Sequence, residues 1–485
     1  MDPPNIVLVV MDTARAQDVL GREDVMPALH RIADDGVTFT NAFTTAPWTV
    51  PSHSSLFTGQ YTSDHGSHAA SKSFEPAIPT LAERLREDGY QTVAYSNNTW
   101  VSPAFGYDRG FEDFLVGWEL FGSADLARIA KEANGFRERA AAVGKQLAGR
   151  DGYKTLCDAL FANWRRVYDS GALVTNYRLE RWFRSQRDPE RPFFAFVNYI
   201  EPHLEYRPPR KFRSTFLPSD VSWPEAKSVN QDAWAYLTGH TEMDERDFEI
   251  LEGLYRAELR YLDYRLEKLY DELRDLGELE NTLLVVVGDH GENIGDHGLM
   301  DHQYCLYDTL THVPLVVRHP SSFEPGRTRE GLVELRDLYP TLLEAAGSTL
   351  DADKAASVSR RNLYDDGREF VISEYLSPQP SMKALERWMG EVPDKVRRRF
   401  DRGLRSIRTT EWKYIEGTDG SEELYDLAAD PAESENVADD EPDVRAKLAA
   451  KIEAERGDLR RPTDDGSLSV DGSTKQRLED MGYLQ

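Results

Sequence analysis

The sequence predicts a layered α/β fold whose mainly parallel sheet lies between helices, followed by a small antiparallel sheet near the carboxyl terminus. Three observations on its 485 residues support this fold class. Short β-branched runs that are apolar throughout alternate with longer segments of helical spacing, which is typical of a parallel sheet covered on both faces. After Gly347 the runs shorten and tight turns separate them, which favours antiparallel strands. Hydrophobic residues make up 40% of the chain, which is enough for a large core.

The first part of the chain alternates strands and helices in the order that such a fold requires. Strands are predicted at 6–10, 37–43, 91–95, 193–199, 282–287 and 313–317. Helices are predicted at 26–34, 80–88, 249–276 and 335–346. Gly36 and Gly89 close the first two of these helices, because glycine readily takes the left-handed conformation that ends a helix.

Changes along the sequence divide the chain into three segments. The α/β domain is predicted to span 1–347, with a helical insertion at 118–175 that shapes the entrance to a site. A small α+β subdomain is predicted at 348–436, and a charged helical tail at 437–485. The strands of the subdomain are predicted at 370–375, 404–408, 412–416 and 423–427.

The composition is strongly acidic, with a net charge of −27 and with 14 Lys against 44 Arg among the basic residues. An acidic surface that is poor in lysine is typical of adaptation to high salt, where ions screen the self-repulsion. An ordinary acidic cytosolic enzyme is the alternative. The charge argues against nucleic acid or an anionic membrane as the main partner.

The sequence predicts a cytoplasmic protein without a membrane segment. The first residues enter a strand without the basic region of a signal peptide, and no apolar run approaches about 18 residues. Cys157 and Cys305 lie in no disulfide or zinc spacing, so both are expected to be reduced core residues. No pattern in the sequence assigns an oligomeric state.

Two predicted strands end in residues that favour a metal site. Asp12 follows the first strand, and Asp289 and His290 follow the strand at 282–287. Ligands bind at the carboxyl ends of strands in open parallel sheets. These side chains together offer mixed oxygen and nitrogen ligation for one divalent cation. The alternatives are a helix-capping Asp12 and a glycine-rich loop with polar turn residues.

Thr49 is the candidate nucleophile. Pro51 suits the first turn of a helix, and 50–57 continues at helical spacing. The Thr49 hydroxyl is therefore expected just before a helix N-terminus, where the dipole favours a phosphate or sulfate group. A nearby metal would lower the pKa of this hydroxyl. The alternative is a threonine that only caps the helix.

Three histidines are further site candidates. His203 follows the strand at 193–199, and His302 lies in the loop beyond Asp289. Either can bind an anionic oxygen or protonate a leaving group. His53 is placed to contact the transferred group or Thr49. A structural role is the alternative for each of them.

These motifs resemble the sulfatase family within the alkaline phosphatase superfamily. The matching pieces follow in the family's order: PNIVLVVMDTAR at 4–15, APWTVPSHSSLFTGQYTSDHG at 46–66, EPH at 201–203, GDHGENIGDHGLMDH at 288–302, and the carboxyl-terminal IRTTEWKYI and EELYDLAADPAE. The resemblance implies a doubly wound, alkaline-phosphatase-like core, a small carboxyl-terminal sheet, and one divalent metal beside the nucleophile. Calcium is the ion implied by the family.

Carried over by position, the resemblance implies metal ligation by Asp12, Asp289 and His290, with Thr49 as a nucleophile that also contacts the metal. His203 matches the histidine that holds the ester group. His302 falls where many members have a lysine that binds the same group.

The chain departs from the family pattern at three positions. Thr13 stands where sulfatases usually have a second aspartate, which leaves manganese or zinc open beside calcium. His53 replaces an arginine and is a weaker, titratable anion contact. Thr49 replaces the Cys or Ser that is oxidised to formylglycine. Threonine cannot give that aldehyde, so no formylglycine is expected.

The sequence therefore predicts a metal-dependent hydrolase of sulfuric or phosphoric esters, acting on a small molecule or a glycan. Phosphoester or phosphodiester chemistry is favoured because Thr49 must attack directly. A sulfuric ester hydrolase that uses Thr49 in the same way is the main alternative. A phospho-group transferase and a non-catalytic binding protein are the others.

Overall fold

The structure, a computed structural model, describes residues 3–117, 171–319, 321–348 and 357–462. The insertion predicted at 118–175 lies outside these ranges except for its last residues, and so does the tail beyond 462. The strands are β1 (Asn5–Met11), β2 (Val37–Phe43), β3 (Gln91–Ser96), β4 (Asp113–Val116), β5 (Phe193–Tyr199), β6 (Thr282–Gly288), β7 (Asn293–Ile294), β8 (Met300–Asp301), β9 (His312–Arg318), β10 (Arg327–Arg329), β11 (Val333–Glu334), β12 (Val371–Tyr375), β13 (Leu404–Arg408), β14 (Trp412–Gly417) and β15 (Glu422–Asp426).

Helices lie between these strands. They are α1 (Ala16–Val19), α2 (Pro27–Asp34), α3 (Thr49–Thr58), α4 (Thr62–His65), α5 (Leu81–Glu87), α6 (Ala172–Ser185), α7 (Trp223–Ser228), α8 (Ala233–Leu237), α9 (Glu245–Asp275), α10 (Asp308–Thr311), α11 (Leu338–Ala345), α12 (Met382–Met389), α13 (Asp394–Phe400) and α14 (Pro442–Arg456). No described helix combines the length and the apolar composition that crossing a bilayer requires.

The main sheet has nine strands in the order β10-β2-β9-β6-β1-β5-β3-β4, with β11 paired to β2. β1 lies between β5 and β6 and is parallel to both. The prediction of a mainly parallel α/β sheet is confirmed. β9 runs antiparallel to β6 and β2, which the sequence did not indicate, because an apolar run has the same composition in either direction.

Helices cover both faces of this sheet. Both faces of β1 are therefore buried, and residues 6–11 of this strand are all apolar. Ile6, Leu8 and Val10 belong to one buried cluster, whereas Val7 and Val9 belong to the cluster on the opposite face. Successive side chains of a strand point to opposite faces, so every residue of β1 is buried. The packing on both faces therefore fixes the carboxyl end of this central strand, which Asp12 directly follows.

The carboxyl-terminal part forms the predicted antiparallel sheet, in the order β12-β13-β14-β15, with α14 packed on it. The Glu374 amide on β12 donates to the Thr45 carbonyl at 2.8 Å. The Ser373 hydroxyl donates to the Thr44 carbonyl at 2.6 Å. The small sheet thus fixes the segment that leads into the helix of Thr49.

Two helices begin more than one residue away from the predicted start. α9 begins at Glu245 rather than 249 because Asp244 and Asp247 form a capping box there. The helix predicted at 335–346 begins as a 3-10 turn at Leu335–Asp337 and continues as α11. Both differences lie at helix ends, where local capping decides the first turn.

His65, at the end of α4, is buried and makes the folded protein sensitive to acid. Its Nδ1 accepts the Ser67 amide at 3.1 Å, so the neutral ring carries its proton on Nε2, 3.1 Å from the Ser55 hydroxyl. Burial, with a smaller effect of His68, lowers the pKa of His65 to about 3. Protonation therefore favours the unfolded state.

We expect the free energy of unfolding to fall as pH drops from about 6.5 towards 3, and this one histidine contributes about 1.4 kcal/mol per pH unit. His65→Gln should reduce the pH slope by about one proton in urea unfolding curves. His240→Gln, a change at an exposed histidine, should leave the slope as in wild type. Equal slopes for all three proteins would contradict the prediction.

Candidate active site

The candidate site lies where two strands end and one helix begins. Asp12 follows β1, Asp289 and His290 follow β6, and Thr49 is the first residue of α3. All four side chains are fully buried. The predicted metal ligands thus lie together at strand ends, as expected from the sequence. The predicted nucleophile lies beside them.

Asp12, Asp289 and His290 have the geometry of a metal site. One ligand atom of each lies within 4.8 Å of the others. Asp12 Oδ1 and Asp289 Oδ2 are buried and lack hydrogen-bond donors among the described residues. His290 Nδ1 lies 3.0 Å from the Gly291 carbonyl, which can only accept. The neutral ring therefore has its lone pair on Nε2, 3.3 Å from Asp289 Oδ2 and 3.7 Å from Asp12 Oδ1. These residues fit a divalent cation.

The electrostatics of this trio favour a bound cation. Burial raises the pKa of Asp12. Burial and the charge of Asp12 raise the pKa of Asp289 well above its ordinary value. Burial also lowers the pKa of His290, which keeps the ring neutral. No lysine or arginine of the described ranges is paired with Asp12 or Asp289, and two such buried carboxylates are costly unless a cation neutralises them.

The backbone after β1 supports this arrangement. The Thr13 and His290 amides both donate to Asp289 Oδ1, at 3.2 and 2.9 Å. Thr13 has a φ of 58°, a strained conformation for a β-branched residue that is found mainly at functional sites. Its hydroxyl is buried without a hydrogen-bond partner in the described ranges. Thr13 thus contributes its amide here and adds no negative charge.

Thr49 lies beside the metal trio. Its Oγ1 is 3.3 Å from His290 Nε2 and 3.4 Å from Asn98 Nδ2. Thr49 is the first helical residue rather than the residue before the helix, because Trp48 takes the N-cap position. The capping alternative for Thr49 is therefore wrong. Its hydroxyl faces the polar site instead of the helix backbone.

His53 is oriented differently from the sequence expectation. Its Nδ1 donates to the Thr49 carbonyl one turn earlier at 2.9 Å, and its Nε2 accepts from Asn198 Nδ2 at 2.9 Å. Burial lowers the pKa of His53 to about 4, so the ring is neutral near pH 7. His53 is therefore not free to bind an anion, because both of its ring nitrogens already bind protein atoms. This corrects the anion contact that was expected from the sequence. The expected proximity to Thr49 is present.

His203 and His302 lie together beside the metal trio, the name used for Asp12, Asp289 and His290. Their ring centroids are 5.0 Å apart, and the His302 ring is 4.6 Å from that of His290. His203 Nδ1 donates to the Leu204 carbonyl, and burial lowers the pKa of His203. Binding of an anionic oxygen through Nε2 thus requires a second proton on His203.

His302 has a charged environment. Its Nδ1 is 2.5 Å from Asp301 Oδ1 and 3.7 Å from Glu292 Oε1. Burial opposes a charged ring, but Asp301 and Glu292 hold the pKa of His302 well above its ordinary value. Burial also raises the pKa of Glu292 to about 7. The contacts with Asp301 and Glu292 therefore favour a protonated His302 ring.

The sequence reasoning missed four polar residues of the site. They are Asn98, Asn198, Glu292 and Asp301. Asn98 comes shortly after the end of β3, so the strand-end rule that found Asp12 also applies to it. Asn198 lies near the end of β5, and its type alone does not distinguish it from a core amide.

Gly291 fixes the loop that carries His290 and Glu292. A Cβ at this position would lie 1.9 Å from the Thr309 carbonyl. The Gly291 amide donates to the Leu310 carbonyl at 2.8 Å, and the Glu292 amide donates to that of Thr309 at 3.1 Å. The loop after β6 is thus pinned against α10, and only glycine allows this close approach.

Asn98 links Thr49, the predicted nucleophile, to Asp12, a predicted metal ligand. Its Nδ2 donates to Asp12 Oδ2 at 2.5 Å and approaches Thr49 Oγ1, while its Oδ1 accepts the Trp100 amide at 2.9 Å. We expect Asn98→Ala to lower kcat about 10- to 100-fold, as for other residues that orient metal ligands. Asn97→Ala is the control, because Asn97 bonds to Thr175 instead. Equal losses of kcat in both variants would contradict this role.

The family of the chain follows from a comparison of its sequence with family models. The model described as Sulfatase matches residues 4–348, which include β1, the helix of Thr49 and the loop after β6. The chain belongs to the sulfatase family. It is therefore an ester hydrolase of the alkaline phosphatase superfamily.

Other members of the sulfatase family are similar over most of their length. Arylsulfatase K of Bos taurus is 23% identical over 484 residues, which cover 93% of this chain and 81% of that protein. Choline-sulfatase of Rhizobium meliloti is 25% identical over 458 residues, covering 90% and 82%. The crystal structure of phosphonate monoester hydrolase of Agrobacterium radiobacter superposes with a TM-score of 0.68 at 21% identity, covering 93% and 95%. This superposition shows a shared fold.

Proposed function

We propose that this sulfatase-family chain hydrolyses phosphoric esters, with phosphodiesters favoured, and uses the Thr49 hydroxyl directly as the nucleophile. The observation that carries the proposal is the position of Thr49 Oγ1, 3.3 Å from His290 Nε2. The same nitrogen lies 3.3 Å from Asp289 Oδ2 and 3.7 Å from Asp12 Oδ1. Threonine does not yield formylglycine, so this hydroxyl is the nucleophile available at the family's position.

Asp12, Asp289 and His290 would hold the divalent cation, with Thr49 next to it. When bound, the cation would lower the pKa of the Thr49 hydroxyl and neutralise negative charge on the transferred group. Asn98 orients Thr49 and Asp12 through one amide group. His53 and Asn198 fix the Thr49 carbonyl. The start of α3 adds a partial positive charge that favours an anion.

The reaction has two displacements. Thr49 Oγ1 releases its proton and bonds to phosphorus, while the bond from phosphorus to the ester oxygen breaks and that oxygen leaves with the electron pair. The leaving oxygen takes up a proton, and His302 is the residue that we propose as its donor. Water then bonds to phosphorus, the bond to Thr49 Oγ1 breaks, and the hydroxyl is restored.

A sulfuric ester is the second candidate substrate. The similarity to arylsulfatase K and choline-sulfatase, each over at least 90% of this chain, favours it. The direct threonine nucleophile favours phosphorus, since the family's sulfate chemistry uses the aldehyde. A small-molecule or glycan ester fits either candidate.

A substrate panel tests the choice. We expect turnover of an aryl phosphodiester to exceed that of the matched aryl phosphate, aryl phosphonate and aryl sulfate in high-salt buffer with added Mn²⁺, Zn²⁺ or Ca²⁺. Thr49→Ala serves as the background for each ester. Turnover of the aryl sulfate alone would contradict the preference for phosphorus and would leave Thr49 as the nucleophile of a sulfatase.

A further inference from the structure

A second group of metal-ligating side chains lies beside the first. Glu292, Asp301 and His302 are buried, and one ligand atom of each lies within 4.8 Å of the others. Glu292 is on the loop after β6, Asp301 ends β8, and His302 follows it. None of them belongs to the cation site formed by Asp12, Asp289 and His290.

Glu292 is the member of this group that most favours a bound cation. Its side chain has no exposed surface, and neither of its carboxylate oxygens has a hydrogen-bond partner in the described ranges. Its nearest charged neighbour is His302 Nδ1 at 3.7 Å, which is longer than a hydrogen bond. A buried carboxylate in this state is costly unless another charge compensates it.

The charges around both groups also call for more than one cation. Four buried carboxylates lie here, those of Asp12, Asp289, Glu292 and Asp301. The titratable bases within 4.0 Å of them in the described part of the chain are the histidines His53, His290 and His302. Burial lowers the pKa of His53 and His290 and keeps these two rings neutral. No described lysine or arginine is paired with the four carboxylates. One divalent ion in the first site neutralises only part of this charge.

We propose that Glu292, Asp301 and His302 bind a second divalent cation next to the first site. Two carboxylate oxygens and one imidazole nitrogen suit zinc or manganese better than calcium. The cation takes the place of the proton on His302 Nδ1, which faces Asp301, so the positive charge at this position remains. With this cation bound, the leaving oxygen would be neutralised by the cation rather than protonated by His302. The site stands on these three residues and does not depend on Thr49 being the nucleophile.

The backbone holds these ligands in place before any ion binds. The Asn293 side chain donates to the Asp301 carbonyl at 2.9 Å, and β7 pairs with β8 from Asn293 to Asp301. Asp301 has a φ of 73°, a conformation that is uncommon outside glycine and is found where a side chain must be aimed. The close approach of Gly291 to Thr309 holds Glu292 from the other side.

The two sites are adjacent. The His302 ring is 4.6 Å from the His290 ring, measured between centroids, and each ring serves a different site. Paired divalent ions typically stabilise both the attacking and the leaving oxygen of a phosphoryl group. A second cation would therefore act on the leaving side of the reaction proposed for Thr49.

Metal stoichiometry tests this proposal without using activity. The full chain is stripped with a chelator, titrated with Zn²⁺ alone, freed of unbound ion, and analysed by inductively coupled plasma mass spectrometry. We expect two zinc ions per wild-type chain, one in Glu292→Gln and one in Asp289→Asn. Asp301→Asn should match Glu292→Gln. Thermal unfolding of each variant confirms that it is folded.

One zinc ion per wild-type chain would overturn the proposal, and so would two in folded Glu292→Gln. Wild-type crystals grown with Zn²⁺ give an answer that needs no variant. Anomalous density between Glu292 and Asp301, in addition to density at Asp289, supports the second site. Density at Asp289 alone shows that Glu292 is merely a protonated buried acid and overturns it.

Discussion

Thr49→Ala should lower turnover of the best ester by at least about a thousand-fold, a loss of the size seen when a nucleophile is removed from other hydrolases. The reason is that Thr49 Oγ1 is the hydroxyl placed next to His290 Nε2 and the amide of Asn98. Asp12, Asp289 and His290 remain in the variant, so metal content should stay near the wild-type value. Steady-state kinetics and metal analysis of the same samples provide the measurement.

Two variants control this result. Thr49→Ser keeps a hydroxyl and should retain a measurable part of the turnover. Thr58→Ala removes a buried threonine hydroxyl from the other end of the same helix, where it donates to the Ser54 carbonyl at 2.6 Å. It should leave kcat close to wild type. Equal turnover in Thr49→Ala and wild type would remove Thr49 from the mechanism.

Asp289→Asn should have opposite effects on stability with and without metal. Asp289 Oδ1 accepts two backbone amides, whereas Oδ2 has no donor among the residues that the structure describes. Asparagine keeps the first oxygen and replaces the unpaired one by a neutral amide. Without metal, we expect the variant to be more stable than wild type by about 1–3 kcal/mol, because a buried charge is removed.

With metal present, the same variant should be less stable than wild type. Loss of a charged ligand is expected to weaken metal binding about a hundred-fold or more, and stabilisation by a bound ion falls with its affinity. Urea unfolding in chelator and in excess Mn²⁺ measures both states. Asp263→Asn is the control, because Asp263 is buried but accepts the Ala28 and Leu29 amides. It should lower stability equally in both conditions. A variant of Asp289 that behaves like Asp263→Asn would argue against a metal at this position.

Much of the fold was accessible from the sequence because the central strands carry a strong signal. β1, β5 and β6 are buried on both faces, so each is apolar along most of its length. The direction of β9 was not accessible, because it depends on how the loop carrying β7 and β8 returns to the sheet. The short strands β10 and β11 have too few residues for a periodic pattern.

The site was accessible where chemistry depends on position after a strand. Asp12, Asp289 and His290 were predicted in this way and lie together. The orientation of His53 was not predictable, because it depends on the distant Asn198. Glu292 and Asp301 were missed because their partnership arises only when β7 and β8 pair. The high-salt origin and cytoplasmic location stay predictions.

The most direct test of the account is to find where the substrate's phosphoryl group resides during turnover. The wild-type protein is mixed with a saturating aryl phosphodiester, quenched in acid over a series of times, digested, and analysed by peptide mass spectrometry. If Thr49 is the nucleophile, we expect a phosphoryl ester on its hydroxyl that appears before the steady state and disappears when substrate is exhausted. An adduct on another residue, or product formation with Thr49 unmodified at every quench time, would contradict it.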